Sequence, residues 1–153
     1  MNSLKKLTLA TGLILSVGFT GAVFAHSQAG TLGNTTSSGT KTDKYVVDCG
    51  SGTHHLAIQV LDKKTNPELG TKLTISAVNG TATACTASST DNVDTDTIYS
   101  TYADCNGGVG DYVMSVTKPA WTANGKETYT AQFHCESSAG THTTTDYIQI
   151  QNQ

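Results

Sequence analysis

The 153-residue sequence predicts an all-β fold: a two-sheet antiparallel sandwich, immunoglobulin-like, of seven to eight strands held by two disulfides. Three observations point there. Short runs of alternating apolar and polar residues recur at about ten-residue spacing between Gly, Pro and Asn breaks, which is the pattern of a sandwich. After residue 25 the chain holds 24 threonines but only seven lysines and no arginine, and Val, Tyr and Gly are common where Leu and Glu are few. That balance favours strands and excludes an all-α fold. All four cysteines, Cys49, Cys85, Cys105 and Cys135, also follow residue 25, and an even number in an exported chain reads as disulfides rather than a metal cluster.

The elements follow in order. His26 to Asp43 is mostly Gly, Thr, Ser and Asn with one Leu, too poor in apolar groups for a core, and predicts a flexible N-terminal arm or a loose edge strand. Strands begin at Lys44 with Tyr45 to Cys49. His54 to Leu61 alternates, with Leu56, Ile58 and Val60 on one face and His55, Ala57 and Gln59 on the other. Asn66 to Gly70 breaks the chain, and Thr71 to Val78 turns Leu73, Ile75 and Ala77 inward. Asn79-Gly80 suits a type I′ turn into a strand over Thr81 to Thr86. Ala87 to Thr97 reads as a polar loop and Ile98 to Tyr102 as a strand. Asn106 to Gly110 is a turn, and Asp111 to Lys118 faces Tyr112, Met114 and Val116 inward before Pro119 ends it and Trp121 enters the connection. Lys126 to Cys135 puts Tyr129, Ala131, Phe133 and Cys135 inward with His134 outward, and His142 to Gln151 closes the domain with Tyr147 in the core.

Met1 to Ala25 has the parts of a secretory signal: Lys5 and Lys6, an apolar run from Leu7 to Phe19, and Val23-Phe24-Ala25 before a cleavage point. The run is interrupted by Thr8, Thr11, Gly12, Ser16 and Gly18, which disfavours a retained span. The expected organisation is a signal over 1–25, an arm over 26–43 and the sandwich over 44–153, with a mature chain starting at His26 in the periplasm or outside the cell. Losing the two signal lysines moves the net charge from −3 to −5, which argues against nucleic acid or an anionic membrane as partner. Four cysteines allow three pairings. Cys49 and Cys135 share the inward parity of Val47 and Phe133, so they are expected to pair across the sheets, leaving Cys85 with Cys105 around the acidic segment.

Chemistry is sought first in the histidines, His26, His54, His55, His134 and His142. A free α-amine on His26 and its ring Nδ1 can chelate one metal, and a further histidine nitrogen completes the planar nitrogen set that selects Cu(II). His134, beside an anchored cysteine, and His142, across the 136–141 turn, are the candidate partners; they share a face if they pair directly. His54 and His55 are expected on opposite faces of a strand, with His55 a reserve ligand. This N-terminus resembles those of two groups of exported copper proteins, the lytic polysaccharide monooxygenases and the small periplasmic copper-resistance carriers. Both are β-sandwiches whose mature chain starts with histidine, and the resemblance implies that His26 gives its amine and ring to copper. The continuation His26-Ser27-Gln28-Ala29-Gly30 lacks the carriers' proline, and a single Trp leaves little room for a polysaccharide-binding face.

Asp91, Asp94 and Asp96 offer oxygen ligands for calcium without the glycine and terminal Glu of an EF-hand loop. No nucleophile elbow, zincin motif or phosphate loop occurs. The expectation is therefore a non-catalytic exported copper-binding protein using His26 with His134 or His142, against the alternative of a structural or adhesive surface sandwich without metal.

Overall fold

The computed structural model describes residues 26–34, 36, 38–63, 72–80, 84–93, 96–120 and 125–153, and over these it is all β. The expected signal, the Asn66–Gly70 break and Trp121 lie outside the described residues. The strands are β1 (His26–Leu32), β2 (Lys41–Cys49), β3 (His55–Lys63), β4 (Leu73–Asn79), β5 (Thr86–Asp91), β6 (Ala103–Cys105), β7 (Gly110–Lys118), β8 (Glu127–Glu136) and β9 (Thr145–Gln151). They form two antiparallel sheets, ordered β1-β8-β3-β6 and β5-β4-β7-β2-β9.

The inward parity read from the sequence holds. Tyr45, Val47, Leu56, Ile58, Val60, Leu73, Ile75, Met114, Val116 and Phe133 are fully buried between the sheets. Each large aliphatic group so sealed contributes roughly 1.5–3 kcal/mol. Cys49 on β2 is bridged to Cys135 on β8, joining the two sheets, and Cys85 is bridged to Cys105 on β6. The neighbours β2–β7, β7–β4 and β3–β8 reproduce the B–E, E–D and C–F pairs of an immunoglobulin sandwich, with the inter-sheet disulfide between the B and F equivalents. The edges are exchanged: N-terminal β1 lies beside β8, where the last strand of that fold would be, and C-terminal β9 lies beside β2, where the first would be.

The described residues hold nine strands where seven or eight were expected, and the differences sit at the edges. His26–Leu32 is an edge strand paired to β8 over its whole length, and β2 starts at Lys41 rather than Lys44. Asn79-Gly80 is not a two-residue hairpin turn. Val78 pairs with Thr86, so the connection is longer, and Gly80 does not take a positive φ. Asn79 is instead buried, its amide donating to the Gly107 carbonyl and its N–H to the Cys85 carbonyl, so tertiary contacts override the local turn signal. Much of the expected polar loop is β5, whose one buried apolar side chain is Ala87; an edge strand that polar lacks the alternation that identifies a strand. The expected strand over Ile98 to Tyr102 gives way to a short β6 further on. Its preceding segment still lies along β3, with Ser100 N–H donating to the Val60 carbonyl and Val60 N–H to Ser100 Oγ. Tyr147, expected in the core, is 36% exposed, with its ring edge-on to Phe133 and its hydroxyl donating to Gln28.

Candidate metal centre

His134 and Glu136 lie two residues apart on β8, so both side chains leave the same, outer face of the four-stranded sheet while Cys135 between them turns into the core. The disulfide thus fixes the backbone from which both project. The chain then reverses through residues 137–141, held by Ser137 N–H donating to the Thr141 carbonyl, and returns so that His142 bridges to Glu136. His142 therefore pairs with Glu136 rather than with His134; a displacement of two positions preserves the face, and the two imidazoles stack at 4.3 Å. On the other side β3 sets His55 opposite Glu136 and Ala57 opposite His134. The small Ala57 side chain leaves the space beside the His134 ring open for Tyr102, which meets it edge-on.

The polar atoms converge on one carboxylate. His134 Nε2 lies 2.6 Å from Glu136 Oε1 and His142 Nε2 lies 3.6 Å from the same oxygen. His55 Nε2 is 3.2 Å from Glu136 Oε2 and 3.9 Å from Asp104 on the neighbouring β6. One ligand atom from each of His134, Glu136 and His142 lies within 4.8 Å of the other two. His134 is 7% exposed, and the Nδ1 atoms of His134 and His142 are sealed from solvent with no protein hydrogen-bond partner. Buried ring nitrogens in that state are the groups a water or an ion ordinarily satisfies. Burial lowers the pKa of His134, with neighbouring His142 and His55 pushing the same way and Glu136 opposing. The ring is thereby kept neutral, the form that ligates metal. Two imidazoles and a carboxylate suit Cu(II) or Zn(II), and His55 on the second carboxylate oxygen would hold Glu136 in orientation.

His26 is placed differently. Its ring stacks on Phe133 at 5.8 Å and meets Tyr147 edge-on, so it lies with Phe133 on the inner side of β8, opposite to His134. It ends the β1–β8 ladder opposite Phe133, with its backbone one position along from His134. The structure therefore brings His134 and His142 together and leaves the His26 ring apart from them. His54 precedes β3 instead of lying within it, and its ring comes edge-on to His55 rather than leaving from the opposite face. Glu136 is the member of this cluster that sequence reasoning missed, although the spacing His134-Cys135-Glu136 on a strand is itself the signal. Of the carboxylates considered for calcium, two accept backbone N–H groups. Asp91 accepts from Asp62 N–H and Val93 N–H, Asp96 accepts from Ile98 N–H, and Asp94 lies outside the described residues.

Two disulfides point to an oxidising compartment, and among the described residues no helix is long and apolar enough to cross a membrane. No protein-family model, no curated protein and no solved structure matches this chain.

Proposed function

We propose that this is an exported copper-binding protein for sequestration or delivery, with the metal seated on His134, Glu136 and His142. The supporting observation is the convergence of two imidazoles and a carboxylate within 4.8 Å on a disulfide-anchored strand. A rigid platform fixes ligand positions better than a loop does. Three protein ligands would leave a coordination position open for exchange with a donor or acceptor.

His26 enters as a second contributor. Once the signal is removed, its free amine starts β1 at the end of the sheet where His134 stands. Bidentate chelation through both the amine and the ring requires the His26 side chain to leave Phe133. The test is a competitive Cu(II) titration of the protein starting at His26, of His134→Ala and His142→Ala, and of a form with one alanine added before His26. One equivalent bound with submicromolar affinity, weakened at least about tenfold by either histidine substitution, is the expected result. Weakening by the added alanine as well assigns the amine to the site. Absence of stoichiometric binding favours the structural or adhesive module.

A further inference from the structure

The outer face of the five-stranded sheet carries two rows that cross the strands. Asp146, Asp48 and Asp111 stand directly opposite one another on β9, β2 and β7. Two residues along the same face, Ile148, Val46, Val113 and Val78 form an apolar row. All three aspartates are exposed, and none forms an ion pair among the described residues. Like charges directly opposite in a sheet are destabilising, so this row costs the free protein stability that an incoming cation would recover. The apolar row is also open, with Ile148 64% and Val113 41% exposed. Val46, Asp48, Asp111, Asp146, Tyr147 and Ile148 line a depression of about 490 Å³ where the two rows run side by side.

This depression adjoins β9, the last strand of its sheet. Natural edge strands are commonly guarded by Lys, Pro or an inward charge. Thr145–Gln151 has no Lys or Pro and exposes residues 146–150. We propose that the open edge of β9 receives an extended segment of a partner protein as an added strand. That segment sets a Lys or Arg beside Asp146 and an apolar side chain beside Ile148. Main-chain hydrogen bonds supply affinity in such strand addition, and alternate side chains supply specificity. Residues two apart on the incoming strand leave the same face, so one short basic and apolar motif reaches both rows. The carboxylate row selects the cation by charge complementarity.

The test is a titration of ¹⁵N-labelled protein, starting at His26, with a synthetic peptide of β9's length carrying lysine and valine two residues apart on a threonine background. A counterpart peptide has glutamate in place of lysine. Amide shifts confined to β9 and β2 are expected, with slowed hydrogen exchange in β9 and at least about tenfold weaker binding of the glutamate peptide. That preference should vanish in Asp48→Asn/Asp146→Asn, whose circular dichroism and melting confirm folding. Equal affinity for both peptides, shifts elsewhere, or no shift at millimolar peptide would overturn the proposal. So would calcium chloride shifting the three aspartate amides when peptide does not, which assigns the row to a cation. Self-association through β9 that the lysine peptide fails to compete would assign the edge to a second copy.

Discussion

Glu136 is the residue on which the candidate centre turns, because one carboxylate faces three imidazoles. Glu136→Gln keeps its shape and removes its charge, so metal affinity should fall while the fold persists, which paired titration and circular dichroism would check. His134 was legible from strand parity alone, since Phe133 and Cys135 face the core. The register of His142 was not, because it depends on how residues 137–141 close, and sequence does not fix that geometry. Nor was the direction of the His26 ring legible, as a Gly- and Thr-rich segment has no apolar alternation to assign its faces. Within that segment Gly30 is required by packing: a Cβ there would fall 2.3 Å from the Tyr129 ring. Gly30→Ala is expected to destabilise by about 1–3 kcal/mol, because the Tyr129 hydroxyl that the Cβ would also meet is tied to Asp43 and Tyr45, and overpacking has no room to relax. Urea unfolding would measure it, and an unchanged midpoint would show that β1 can lift away freely.

At the level of elements, β2 and β8 are locked by more than the disulfide. Tyr129 hydroxyl donates to Asp43 Oδ2 at 2.7 Å and sits 2.6 Å from the Tyr45 hydroxyl, all three buried. Burial, then the hydrogen bonds to Tyr45 and Asp43, pushes the Tyr129 phenol far above its usual range, so it remains a donor at any working pH. Tyr129→Phe leaves Asp43 without that donor and should cost about 1–3 kcal/mol, read from denaturant midpoints. β8 also makes stability depend on pH. The folded state holds His134 neutral by burying it, whereas the unfolded chain titrates near the ordinary value of about 6.5. Below that value the unfolded state binds the extra proton, so this contribution is complete above pH ~6.5 and is lost as pH falls towards the lower folded-state pKa. Metal-free protein in chelator should therefore lose stability between pH 7.5 and 5.5, and His134→Gln should flatten the slope; a wild-type slope in that variant would remove His134 as the cause. The central strands were legible because both partners of each pair alternate cleanly. Edge strands β5 and β6 were not, and β1 was legible only as one of two alternatives, since with one covered side such strands need few apolar residues.

For the whole molecule, one disulfide joins β2 to β8 across the two sheets, and the other ties β6 of the four-stranded sheet to Cys85, which immediately precedes β5 of the five-stranded sheet. Both pairings were legible, the first from inward parity and the second by elimination, whereas the exchanged edge strands depend on long-range packing that no local pattern encodes. Replacing Cys49 and Cys135 together with alanine should cost about 2–5 kcal/mol and, by freeing the strand that carries His134 and Glu136, weaken metal binding too. Calorimetry and Cu(II) titration of the same variant would show whether the two losses travel together. The most direct test of the metal seat is pulsed and continuous-wave EPR of protein loaded with one equivalent of Cu(II), comparing wild type with His134→Ala and His142→Ala. An axial signal with imidazole nitrogen couplings, one ring's contribution disappearing in each variant, is the predicted result. A wild-type spectrum that survives both substitutions unchanged would place copper elsewhere and contradict the assignment.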